Sequence, residues 1–191
     1  GEITEGKMTV AVAGTHGKTS ISSLIAHILK SADYPVTALI GGISKNYQSN
    51  FISTGREEIM VVEADEYDRS FLYLHPDIAV ISAMDPDHLD IYGTAGEMNR
   101  SFNEFARNIK PDGKLIIRKG LQICPNPDTL RVSYAADESS DISAINLRTQ
   151  NGLQLFDIVT GGIYYRDIQL QIPGKHNVEN ALAAVAVCMS I

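Results

Sequence analysis

The sequence predicts an α/β fold, a mostly parallel sheet flanked by helices with a phosphate-binding loop, and a small antiparallel β-sheet near the C-terminal part. Apolar runs of strand length recur as MTVAVAG (8 to 14), VTALIGG (36 to 42), IMVVEAD (59 to 65), IAVISAM (78 to 84) and KLIIRKG (114 to 120). The first, third and fourth are nearly continuous rather than alternating, as strands covered on both faces require. Helical patterns lie between several of them, and alternating strand and helix means parallel strands joined by right-handed crossovers. The stretch AGTHGKTS, residues 13 to 20, follows the first apolar run and precedes a helical segment, the placement a phosphate loop needs.

The elements follow in order. Residues 18 to 31 and 95 to 109 carry the helical patterns. Further on, INLRTQ, then Asn151-Gly152, then LQLFDIV form two alternating strands around a hairpin dipeptide. Gly161-Gly162 introduces a third strand, IYYRDIQLQI (163 to 172), and a final Ala-rich helix begins near His176.

A chain of 191 residues suits a single domain, residues 1 to 191, that buries its core without disulfides or metals. The net charge of -7 argues against sequence-independent nucleic-acid binding, which needs a basic face to displace counterions. An anionic ligand must therefore be held locally. Cys124 and Cys188 fit no metal-ligand spacing and read as reduced thiols of a cytoplasmic protein. No stretch approaches the roughly 20 apolar residues of a membrane span. Residues 1 to 7 read as a polar linker and the last helix carries no stop signal, so the chain is expected to be part of something longer.

Ligands of an open parallel sheet bind beyond the carboxyl ends of its strands, and polar residues gather there three times. After Ala13, Gly14 and Gly17 let the backbone turn its amides toward an anion. Lys18 adds mobile positive charge and Thr19 offers a hydroxyl to magnesium. A generic phosphate loop would place a further glycine where this chain has Val12. His16 is assigned no role. After Val62, Glu63 stands where a phosphate-loop enzyme keeps its magnesium carboxylate. Asp65, Glu66 and Asp68 read equally as a solvated acidic loop or as partners for a basic group or second cation. After Met84, DPDHLDIYG places His88 as a ligand, a phosphate contact or a satisfied loop histidine. A fourth cluster comes late, in IPGKHNVENALAA: Asn177 and Asn180 lie three apart on one helical face, where carboxamides can read an adenine edge, unless Asn177 simply caps the helix.

Taken in order, these four pieces resemble the central, ATP-binding domain of the Mur ligases, the amide-forming enzymes of peptidoglycan precursor synthesis, over essentially the whole chain. That family writes its phosphate loop around Gly-Thr-x-Gly-Lys-Thr/Ser, which is Gly14 to Ser20 here and needs no glycine at position 12. Within the family, GTHGKTS, VVEADEYDRSFL (61 to 72), DPDHLDIYG (85 to 93) and GKHNVENALAA (174 to 184) look most like the branch that adds L-alanine to UDP-N-acetylmuramate. The resemblance implies a three-domain enzyme whose other two domains bind the UDP-sugar and close over the site. It also implies the reaction: the muramyl carboxylate attacks the γ-phosphate of ATP, and the alanine amine displaces phosphate from the acyl phosphate.

By the same resemblance Lys18, Glu63 and His88 are catalytic, and Gly14, Thr15, Gly17, Lys18, Thr19 and Ser20 hold the nucleotide phosphates. Asn177 and Asn180 face adenine, Thr19 and Glu63 hold one Mg2+, and His88 contacts a second. Gly41, Gly42 and Asn50 fall in the region that meets the substrate's phosphates or sugar. One departure stands out: several family members carry a carbamylated lysine after the Asp-His motif, whereas no lysine occurs between His88 and Lys110, and its expected position falls near Asn103. The alanine-adding branch is compatible with that absence. The spelling EADEYD, with Tyr67, also resembles the branch that joins a recycled murein tripeptide to the same sugar, while HLDIY pulls toward the alanine branch. A nucleotide-binding module without catalysis is the competing reading.

Overall fold

The computed structural model describes residues 4–55, 58–67, 69–85, 92 and 94–191. Among these, ten strands form one continuous sheet in the order β10-β9-β8-β7-β6-β5-β1-β4-β2-β3. In chain order the elements are β1 (Met8–Ala13), α1 (Lys18–Ser31), β2 (Val36–Ser44), β3 (Ser49–Ser53), β4 (Ile59–Glu63), a 3-10 turn (Ser70–Tyr73) and β5 (Ile78–Ile81). Then come α2 (Ala95–Arg107), β6 (Lys114–Arg118), β7 (Leu130–Ala136), β8 (Ile142–Gln150), β9 (Leu153–Thr160), β10 (Ile163–Leu170) and α3 (Lys175–Cys188). The strands from β2 across to β8 pair in parallel. Strands β9 and β10 continue the same sheet antiparallel, and β3 closes the far edge antiparallel to β2. The expected antiparallel part is thus present, as an extension of the parallel sheet.

The continuous apolar runs become strands with both faces covered. In β1, Val10 and Val12 face a core shared with Ile21, Ile25 and Leu29 of α1 and with Val178 and Leu182 of α3. Ala11 and Ala13 point to the opposite core, built on Phe71, Met98, Phe102 and Phe105. Small alanines on that face leave room for an aromatic cluster, in which Phe71 meets Phe102 edge-on at 5.5 Å and Phe105 at 5.2 Å between ring centroids.

The helix ends show how sequence sets boundaries. Thr94 caps α2 by accepting the Glu97 amide at 3.2 Å, the Thr-x-x-Glu spelling that favours a helix start. Helices α1 and α3 start differently, on Gly17 and Gly174, with no side-chain cap. Two strands escape the sequence patterns. In β3 only Ile52 is buried, and β7 is exposed at its start and buried at its end, so neither shows a clean period. Both cysteines are free, as expected, and burial pushes the Cys188 thiol up to about 12.

The antiparallel part is organised around Asp157 on β9. Its carboxylate accepts from Asn146 Nδ2 at 2.8 Å on β8 and from the Asp167 amide at 2.9 Å on β10. Asn146 and Asp167 both sit at irregularities of the strand pairing with φ near +56° and +57°, a conformation that Asn and Asp tolerate best after glycine. These hydrogen bonds, that of Asn146 first, hold the Asp157 carboxyl below its ordinary pKa. A carboxyl lowered on folding contributes stability above its unfolded pKa of about 4, and that contribution is lost as pH falls through the folded value. Asp157→Asn is therefore expected to lower the melting temperature at pH 7, with the difference from wild type shrinking below about pH 4. Thermal melts of both proteins across pH 2.5 to 7 check this.

Candidate functional site

Strand register brings the first two predicted clusters, and Asp85 of the third, to one edge of the sheet. Val12 of β1 pairs with Glu63 of β4 on one side, and Ala13 pairs with Ile81 of β5 on the other, so the loops after β1, β4 and β5 leave at the same level. The loop after β1 is fastened to that after β5: Thr15 donates its amide to Ala83 O at 3.1 Å, and the Ser82 hydroxyl donates to Ala13 O at 3.3 Å and to His16 O. Asp85 closes the contact by donating its amide to Thr15 Oγ1 at 3.2 Å, and its carboxylate lies 3.8 Å from His16 Nε2.

Glycine is required at two points of this loop. Gly14 has φ +136°, and a Cβ there would sit 2.3 Å from Ser82 Oγ and 2.9 Å from the Ala83 amide nitrogen. Gly17 has φ +88°, and its Cβ would meet Asn180 Oδ1 at 2.5 Å. Gly17 is also the cap of α1, so no side chain competes for the first amides of the helix. An open helix N-terminus following a glycine turn presents N–H groups and positive potential to an anion.

The two side chains that follow point to different partners. Lys18 Nζ donates to both carboxylate oxygens of Glu66 at 2.8 Å each and to Gly14 O at 3.0 Å. Thr19 Oγ1 donates to Glu63 Oε2 at 3.2 Å, while Glu63 Oε1 accepts the Gly41 amide at 2.7 Å. Gly41 and Gly42 leave the space for this: a Cβ on Gly41 would lie 2.7 Å from Glu63 Oε2, and one on Gly42 would lie 3.2 Å from Thr19 Cγ2. Both glycines lie on β2 beyond Leu39, its last residue paired with β4, so the β2–β3 hairpin overhangs the site. Asn50 is exposed on β3 of that hairpin. His27 and Lys30 of α1 hold the tip through Tyr47, by a 2.9 Å hydrogen bond between the imidazole and the Tyr47 hydroxyl and by an ammonium 4.5 Å from the Tyr47 ring centroid.

A cleft of about 320 Å³ opens beside the loop, between Gly17 and the start of α3. Asn180 lines it, together with His176, Glu179, Arg118 and Tyr134. Arg118 Nη1 lies 3.7 Å from Glu179 Oε2. Burial, and then the charge of Glu179, raises the Tyr134 phenol well above its ordinary pKa, so it remains a neutral hydroxyl. Asn177 does not cap α3, since Gly174 takes that position. Its Nδ2 instead donates back to Pro173 O at 2.9 Å. The volume and the mixture of ring, amide and charged groups suit a small-molecule subsite.

The structure therefore gathers Gly14, Thr15, Gly17, Lys18, Thr19, Ser20, Glu63, Gly41, Gly42 and Asn180 around one edge. Asp68, Asp87 and His88 lie outside the described residues. Asn103 sits on α2, where Nδ2 donates to Asn99 O at 2.7 Å and Oδ1 accepts the Cys124 amide at 2.9 Å, tying the helix to the loop after β6. Sequence reasoning missed Ser82, Arg118 and Tyr134. Arg118 ends β6 and Tyr134 lies opposite it in the parallel register of β7, so the rule of strand carboxyl ends, carried two strands further, would have found both.

The chemistry of the donor set fits magnesium. A threonine hydroxyl and a carboxylate supply hard oxygen ligands, and this ion keeps several waters and takes its remaining ligands from substrate phosphates. Among the described residues no cluster of three or more His, Cys, Asp or Glu side chains could hold a metal, so a caged site made only by such side chains is not available there.

Together the parallel sheet, the glycine-capped helix after β1 and the acid after β4 define an α/β domain of the phosphate-loop type. The chain belongs to the Mur ligase middle domain family, which matches residues 12–188. A UDP-N-acetylmuramate–L-alanine ligase of Christiangramia forsetii is 43% identical over 189 residues, covering 99% of this chain and 40% of that protein. The chain thus spans about two fifths of the length of the curated relatives it matches. Among solved structures, the UDP-N-acetylmuramate:L-alanyl-gamma-D-glutamyl-meso-diaminopimelate ligase from Neisseria meningitides superposes with a TM-score of 0.81 at 25% identity, covering 96% of this chain and 61% of that one. The UDP-N-acetylmuramate-alanine ligase of Thermotoga maritima gives 0.80 at 26% identity, covering 97% and 42%.

If Gly14 is set by close approach, Gly14→Ala is expected to destabilise the chain by roughly 2 to 5 kcal/mol, from backbone strain and overpacking together. Gly152→Ala, at φ +78° with nothing within 4 Å of its Cβ, meets strain alone and is expected to cost about 1 to 2 kcal/mol. Urea denaturation of the two variants separates the effects.

Proposed function

We propose that this chain is the ATP-binding central domain of a cytoplasmic ligase that joins L-alanine to UDP-N-acetylmuramate through an acyl phosphate. The observation that carries the proposal is the pairing of Thr19 with Glu63 at the open start of α1, one residue after Lys18. Its occurrence in a chain 43% identical to a protein named for that reaction supports it.

In this reading the amides from Gly14 to Ser20 cradle the polyphosphate, and Lys18 carries positive charge to the transferring phosphoryl group. Thr19 and Glu63 would hold magnesium, which when bound offsets charge on the phosphate oxygens. Gly41 orients the Glu63 carboxylate by fixing Oε1 and leaving Oε2 toward Thr19. Asn180 and the cleft beside it take the adenine, with Asn177 carried by the family resemblance. His88 is carried the same way, as the contact to a second magnesium. The β2–β3 hairpin, with Gly41, Gly42 and Asn50, faces the UDP-sugar. The remaining length of the relatives would supply the surfaces that bind the sugar and the amine and exclude water.

A second reading, ligation of a recycled murein tripeptide, is favoured by the EADEYD spelling and by the superposition on a tripeptide ligase at 0.81. That value stands beside 0.80 for the alanine enzyme, so shape does not separate the two amines, whereas the 43% relative favours alanine. ADP release by the complete protein with Mg-ATP and UDP-N-acetylmuramate is expected with L-alanine and not with the tripeptide; the reverse pattern would move the protein to the second reading. The 191-residue chain alone is expected to fold without ligating, and measurable ligation by it would contradict the need for further domains.

Lys18→Ala in the complete protein is expected to lower turnover by about 10²- to 10³-fold. Because that change also leaves the Glu66 carboxylate buried without its cation, the double variant Lys18→Ala/Glu66→Gln is the cleaner test. Near-normal turnover in a folded double variant would remove Lys18 from the chemistry.

A further inference from the structure

The acidic loop after β4 does not behave as one unit. Asp65 and Tyr67 are exposed, whereas Glu66 is only 1% exposed. Its main chain is held from two sides, since its carbonyl oxygen accepts from the Tyr92 hydroxyl and from the Arg69 amide at 3.2 Å. The Arg69 guanidinium in turn stacks over the Tyr92 ring at 5.2 Å. The carboxylate is thereby fixed against Lys18, whose side chain is 19% exposed.

An ammonium has three donors and no acceptor. The contacts to Glu66 Oε1, Glu66 Oε2 and Gly14 O supply three acceptors for them. The charge of Lys18 is therefore balanced within the protein, and its donors are engaged at the inner end of the loop. A phosphate reaching this lysine must draw it at least partly away from a carboxylate that has little access to water. Uncovering that carboxylate is unfavourable, and its negative charge also lies near the incoming anion.

Resting on the reading of Lys18 as a phosphate contact, we propose that Glu66 is a positioning residue that competes with ATP for Lys18, holding the ammonium in the empty site and weakening nucleotide affinity. The same contact favours release of the spent nucleotide, because Lys18 returns to a waiting carboxylate. Glu66 is distinct from Glu63 in this respect: Glu63 faces the threonine hydroxyl and the hairpin amide, and Glu66 faces the lysine.

The test is the dissociation constant of a magnesium complex of a non-hydrolysable ATP analogue, measured by titration calorimetry on the complete protein and its variants. Glu66→Gln keeps the shape and removes the charge, and is expected to bind the analogue on the order of tenfold more tightly. A residue with a merely structural role would give the opposite sign. Glu66→Asp keeps the charge but reaches less far, and is expected between wild type and Glu66→Gln. Unchanged or weaker binding by folded Glu66→Gln overturns the proposal; if that variant does not fold, unchanged or weaker binding by Glu66→Asp does so. Failure of the wild type to bind the analogue would instead remove the nucleotide reading on which the proposal rests, and the proposal with it.

Discussion

The site depends on β1 lying between β4 and β5 in one particular register. Val12 opposite Glu63 and Ala13 opposite Ile81 place a phosphate-type turn, a carboxylate and the Ser82–Asp85 segment within hydrogen-bonding reach. That register is enforced from both faces. Val10 and Val12 belong to the core under α1 and α3, while Ala11 and Ala13 belong to the aromatic core on the other side. A slip of one residue would send valines into the space that alanines leave for Phe71, Phe102 and Phe105. The packing that stabilises the sheet thus also sets the distance between groups that share no local sequence.

The unusual loop spelling follows from how closely its neighbours approach. Gly14 touches the segment after β5 and Gly17 touches Asn180 of α3, so these two positions have no room for a side chain. Position 12 is different. It is an interior residue of β1, fully buried, where a valine contributes to the core and a glycine would only weaken the strand. Helix starts divide the same way. Helix α2, on the aromatic face, has a threonine cap, whereas α1 and α3, which begin at the site, start on glycines and keep their ends open.

Much of this was legible in the sequence because buried parallel strands and glycine turns leave local signals. The runs at β1, β4 and β5 are nearly continuously apolar, and α1 and α3 begin within a residue of where their patterns begin. What was not legible is non-local. Nothing in EADEYD says that Glu66, rather than Asp65, turns inward; that follows from Lys18 lying across the sheet edge and from Tyr92 gripping the Glu66 carbonyl. Gly41 and Gly42 entered through family resemblance alone, and their physical reason, space for Glu63 and Thr19, appears only once β2 is placed beside β4. The strand β3 was hidden because an edge strand with one buried residue has no period to read.

A crystal structure of the protein with magnesium and a non-hydrolysable ATP analogue would test most simply whether this edge is a nucleotide site. The phosphates are expected on the amides from Gly14 to Ser20, the ion between Thr19 and Glu63, and the base in the cleft beside Asn180 and Tyr134. Phosphates bound away from that loop, or a base lodged elsewhere on the sheet, would contradict the reading of the site given by the strand register.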